Sequence, residues 1–127
     1  MRDHTKLEAF RLADTMAVLV YRLTQRFPKS ETFGLTAQMR RAAVSAPSNI
    51  VEGCARSTQK GFVHFLDVAL GSVREVAYQA SLARRLDMLT EEQYAPLRAH
   101  CLETSKVLCS LILTVRNAAQ RSGAANS

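Results

Sequence analysis

The sequence predicts an all-α fold, an antiparallel up-down-up-down four-helix bundle, and three observations carry that expectation. Apolar residues recur at steps of three and four through four segments, the pattern of helices that each turn one stripe to a core. Nowhere do they alternate with the period of two that a half-buried strand needs. The breaks between segments, at Pro28, near Gly53 and around Asp87, are short, and short loops join antiparallel neighbours. A chain of 127 residues has room for one core. A single domain is therefore expected over 1–121, with a disordered tail at 122–127.

The first helix is expected from about Lys6 to Arg26. Thr5-Lys6-Leu7-Glu8 fits a capping box, in which the hydroxyl and the carboxylate each take an orphan amide. Phe10, Ala13, Ala17, Val20 and Tyr21 make one apolar stripe, and Leu12, Met16, Leu19 and Leu23 a second beside it. Phe27-Pro28 ends the helix. The second helix should run from about Phe33 to Gly53 with Pro47 inside it, and the lost hydrogen bond predicts a kink near Pro47. Ala42, Ala43 and Ala46 are small enough to admit a neighbouring helix closely. Gly53 is expected to close this helix in the left-handed conformation, and Ser57 to cap the third. In the third helix, to about Leu86, Gly71-Ser72 again suggests close contact. Thr90-Glu91-Glu92-Gln93 is a second capping box, although Pro96 suggests that regular structure starts only after it.

No stretch approaches the ~20 apolar residues of a membrane span, and the richest run, Met16 to Tyr21, stops at Arg22. The N-terminal residues lack the pattern of a secretory signal, so a cytoplasmic protein is expected. Cys54, Cys101 and Cys109 are odd in number and far apart, which suggests reduced, buried thiols. Net charge is +6, and residues 1–60 hold ten Lys/Arg against five Asp/Glu. An anionic partner would meet that half first.

Catalytic and cofactor signatures are weak. His64 and Asp67 are spaced as half a metal site, but a di-metal bundle needs Glu-x-x-His motifs, which the sequence lacks. His100 and Cys101 are adjacent, so on a helix they diverge and cannot act as base and nucleophile; a surface His and a core Cys are expected. The five glycines never cluster into a phosphate loop. Glu91 and Glu92 lie in a first helical turn, where negative charge suits the helix dipole. No enzyme activity, cofactor or metal is expected. The polar series Arg41, Ser45, Ser48, Asn49 and Glu52 follows one side of an otherwise apolar helix. It predicts a structural network, with Arg41 meeting Glu52 or Glu75 and Asn49 bonding across to another helix or subunit; the alternative is a ligand pocket.

Several of these segments carry a resemblance. Phe27-Pro28-Lys29, Phe33-Gly34-Leu35-Thr36, Arg40-Arg41-Ala42-Ala43-Val44-Ser45, Pro47-Ser48-Asn49-Ile50, Glu52-Gly53 and Gly71-Ser72 with Glu75 closely resemble the four-helix-bundle proteins encoded in 23S ribosomal RNA intervening sequences. The likeness spans about residues 6 to 115. Val51, Cys54 and Pro96 depart from the pattern. The resemblance implies a bundle that assembles into a ring, typically of five subunits, with a basic surface. The chain is similar also to the accessory proteins of diversity-generating retroelements, which bind nucleic acid and a reverse transcriptase. A homo-oligomeric binding or scaffold protein is expected, with RNA, DNA or a ribonucleoprotein as partner; the alternative is a protein-interaction adaptor. Aromatics are 6 % of residues and do not alternate with arginine in the sequence, so contact should be to backbone phosphate. Candidate contacts are Arg22, Arg26 and Lys29 at the end of the first helix, Arg40 on the second, and Arg56 and Lys60 around the start of the third.

Overall fold

The computed structural model describes the backbone of residues 2–126 and the side chains of residues 2–121. Four helices build it: α1 (Glu8–Thr24), α2 (Leu35–Cys54), α3 (Gln59–Arg85) and α4 (Glu91–Asn126), with single 3-10 turns at His4–Lys6 and Lys29–Glu31 and no strand among the described residues. The fold is all-α, as the hydrophobic spacing predicts. Side chains beyond Arg121, where the tail is expected, lie outside the described residues. No helix is long and apolar enough to cross a membrane among the described residues.

One core runs through all four helices, with Met16, Val20, Met39, Ile50, Leu66, Val73, Val76, Leu97 and Leu108 fully buried. Burying a side chain of this size contributes about 1.5–3 kcal/mol. Each helix packs on its chain neighbours, and α1 closes against α4. Side-chain contacts tie successive helices together. Arg40 Nε near the start of α2 donates to Thr24 Oγ1 at the end of α1 (2.9 Å), and Arg116 late in α4 pairs with Asp67 early in α3 (2.8 Å). The second stripe of α1 is largely absorbed into the bundle, since Met16 is buried and Leu19 and Leu23 pack against the core.

Several helix ends differ from expectation. Thr5 and Glu8 form no capping box. Asp3 accepts instead from the Thr5 amide (3.0 Å) and hydroxyl (2.6 Å), winding a 3-10 turn ahead of α1, and Leu7 stands at its N-terminal boundary without a side-chain cap. Those two bonds, the hydroxyl first, hold the Asp3 carboxyl below its ordinary range. Thr58, not Ser57, caps α3, accepting from the Gly61 amide at 3.0 Å. The box at α4 forms both ways, Thr90 N to Gln93 Oε1 at 2.9 Å and Gln93 N to Thr90 Oγ1 at 3.2 Å. It starts α4 at Glu91, ahead of Pro96, whose missing donor leaves only the carbonyl of exposed Glu92 without its helical bond.

Gly53 does not close α2 with positive φ. It is helical, and a Cβ there would lie 3.0 Å from Phe65 Cβ and 3.3 Å from the Phe62 carbonyl oxygen, so glycine permits the close crossing of α2 and α3. Ser72 is buried in the same seam, whereas Gly71 faces open space and makes no close contact. Positive φ occurs at Asp87 (61°), in the link from α3 to α4.

Candidate functional site

The six candidate phosphate contacts fall into two groups. Arg22, Arg26 and Lys29 are exposed at the end of α1, and Arg40 joins them from α2, its guanidinium 4.7 Å from the centre of the Tyr21 ring. Arg56 and Lys60 lie at the junction of α2 and α3, beyond the end of α2 at Cys54, which is fourteen residues of helix, about 21 Å, from Arg40. The groups differ in their freedom. Arg56 is bonded to Glu52 at 2.8 Å and stacks 5.4 Å over Phe65, and Arg2 donates to its carbonyl oxygen (3.0 Å) while lying 4.1 Å over Phe62. Arg2 is a cation of this junction that helical periodicity does not reveal, because it precedes the first helix. Arg22, Arg26 and Lys29 take part in no ion pair among the described residues.

The expected polar network is present in part. Ser45 Oγ meets Ser72 Oγ at 2.8 Å across α2 and α3, and Asn49 Nδ2 donates to the Ser45 carbonyl (2.8 Å) and hydroxyl (3.0 Å). Asn49 thus bonds back along its own helix within the single chain. Arg41 is exposed, not buried, and Glu52 is engaged by Arg56. Arg41 and Glu75 instead line an open cleft of about 430 Å³ between α2 and α3, together with Gln38, Ala42, Ser45 and Ser72. Ser48 is exposed beside them. The reason is geometric: alanines at 42, 43 and 46 take the core-facing positions, so the polar residues fall on the rim of the seam.

His100 is half-buried instead of lying on the surface. Its Nε2 lies 2.7 Å from the Leu12 carbonyl oxygen, to which it donates, tying α4 to α1. Cys101 is buried beside Met16 (S to S 3.7 Å), and burial pushes its thiol up to about 12. Burial raises the Cys54 thiol too, against the pull of Arg2. Cys109 is half-buried. No cluster of three His, Cys, Asp or Glu could hold a metal among the described residues.

The model of the 23S rRNA-intervening sequence protein family matches residues 5–110, which takes in α1, α2, α3 and the first half of α4. The chain belongs to that family. A solved structure supports the same placement of this 23S rRNA-intervening sequence family member: a protein of unknown function from the S23 ribosomal protein family of Bacteroides thetaiotaomicron, 26% identical, superposes with a TM-score of 0.76 over 82% of this chain and 94% of that one. No curated protein matches the chain. The 23S rRNA-intervening sequence family is not a known enzyme family.

Proposed function

We propose that this family member is a non-enzymatic, cytoplasmic, homo-oligomeric scaffold, a closed ring of five subunits, whose basic surface holds the phosphate backbone of RNA or DNA within a ribonucleoprotein or beside a reverse transcriptase. The observation that carries this reading is the group of exposed cations Arg22, Arg26 and Lys29, which no carboxylate neutralises among the described residues. Five chains of +6 give a ring of +30, a field that a polyanion follows. Val18, Val44, Val51 and Tyr78 stay exposed in one chain, which supports their burial between copies. Retention of labelled RNA or duplex DNA by the purified protein at about 50 mM salt tests the reading, with binding expected to weaken as salt rises. Absence of retention at that salt removes it.

A second reading, a protein-interaction adaptor, draws on Leu102 and Leu113, which are exposed on α4 away from the cationic end of α1. In that case a protein partner protects α4 from hydrogen exchange and nucleic acid does not.

A further inference from the structure

The link between α1 and α2 places an aromatic ring where the chain has least reason to expose one. Phe33 is 96 % exposed, more than any other large hydrophobic among the described residues. Exposing so much apolar ring forgoes the burial that another loop path could recover. The local structure explains how it is held out. Glu31 Oε1 accepts from the Leu35 amide (3.0 Å), folding back over the start of α2, and a Cβ at residue 34 would lie 2.7 Å from that oxygen. Gly34 leaves room for this return, Leu35 is buried, and Phe33 is left outside the turn.

Its surroundings are cationic. From Tyr21 to Arg41 the chain carries Arg22, Arg26, Lys29, Arg40 and Arg41 against one carboxylate, Glu31, whose charge is directed at the α2 amides. On the α3–α4 link, Asp87 and Glu91 are both drawn to Arg84 (3.6 and 3.1 Å), leaving Glu92 as the acidic group of that turn outside an ion pair among the described residues. A second aromatic, Tyr21, is 42 % exposed, with one face under the Arg40 guanidinium, which is fixed by Thr24 at 2.9 Å. Fully exposed ring, ordered cation over a second ring, and loose cations on either side are what unpaired bases on a charged backbone require: a π-face for the base and point charges for the phosphates.

We infer that the α1–α2 end is a stacking platform for single-stranded nucleic acid, with Phe33 as the base-stacking residue, Tyr21 and Arg40 as a second stack, and Arg22, Arg26 and Lys29 as phosphate contacts. This rests on the nucleic-acid reading above and narrows it from backbone contact of either form to a preference for unpaired strands. An apolar protein surface placed on Phe33 would leave the surrounding cations unused, whereas a nucleic acid strand uses ring and charge together, so charge favours the polyanion.

The test is fluorescence anisotropy with a uridine-rich RNA oligonucleotide and with an RNA duplex of equal length, for the wild type, Phe33→Ala and Phe33→Trp. Phe33→Ala is expected to weaken single-strand binding roughly tenfold, within the range of one stacked base, while duplex binding and the salt slope stay unchanged. Phe33→Trp should restore the single-strand affinity. Equal loss on both forms, no loss on either, or a fall in oligomer mass in Phe33→Ala overturns the platform, the last by placing Phe33 between copies of the chain. Wild type binding neither form overturns both the platform and the reading beneath it, whereas unchanged binding in Phe33→Ala removes the platform alone.

Discussion

Two glycines show how differently the same residue is used. Gly53 lies where α2 crosses α3, and a methyl there must displace Phe65 or the Phe62 backbone. Gly53→Ala gains about 1 kcal/mol in helix propensity, yet overpacking of this kind costs about 1–3 kcal/mol, so net destabilisation is expected in urea unfolding. Gly71 faces open space in mid-helix, and Gly71→Ala should raise stability by about 0.5–1 kcal/mol. Opposite signs for the two variants are the expected outcome. Cys101 adds a pH dependence. Its thiol titrates at about 12 in the fold and near 9.0 when free, so above pH 9 the unfolded chain releases a proton that the folded one retains. Stability should therefore hold below pH 9 and fall from there toward 12; Cys101→Ser should flatten that fall, measured by denaturant melts across the alkaline range.

At the scale of elements, helix caps separate what a sequence discloses from what it leaves open. Thr58→Ala should cost about 1 kcal/mol in thermal unfolding and Ser57→Ala close to nothing, because it is the Thr58 hydroxyl that meets the Gly61 amide. Either residue satisfies the pattern, and only the local turn chooses between them. Helix existence was legible because Phe62, Leu66, Ala69, Val73 and Ala80 repeat at core spacing whatever their neighbours do. The box at Thr90 was legible because the nearby carboxylates of Asp87 and Glu91 are drawn to Arg84 and leave it undisturbed. That at Thr5 was not, since Asp3 two residues earlier takes the hydroxyl and the amide. The polar strip of α2 was legible as a strip, but its depth was not: whether Arg41 points inward depends on how closely α3 approaches the three alanines, a distance that spacing does not encode. Phe33 was expected at the start of the second helix, yet α2 begins at Leu35 and leaves Phe33 exposed ahead of it. One aromatic in a loop has no period, and its exposure follows from Glu31 folding back past Gly34.

Over the whole molecule, the exposed apolar residues and the unneutralised cations call for different partners, and the proposed ring would satisfy the first while presenting the second to a polyanion. In the proposed ring, copies of the chain would cover Val18, Val44, Val51 and Tyr78, which are exposed in the single chain, while the α1 ends would repeat around the assembly as a multivalent basic rim. Light scattering at micromolar concentration should give about 70 kDa, five times 14.1 kDa; a stable monomer is incompatible with the ring. The most direct measurement is the salt dependence of RNA binding, for the wild type and for the combined Arg22→Ala, Arg26→Ala and Lys29→Ala variant. Each phosphate neutralised contributes about 0.9 to the slope of log affinity against log salt on a duplex and about 0.7 on a single strand. The variant should lose a slope of about 2–3 per site while its mass and helicity stay those of the wild type. A slope equal to that of the wild type would contradict the placement of the interface at the end of α1, and a wild type with no salt-dependent binding would leave the protein-interaction adaptor in its place.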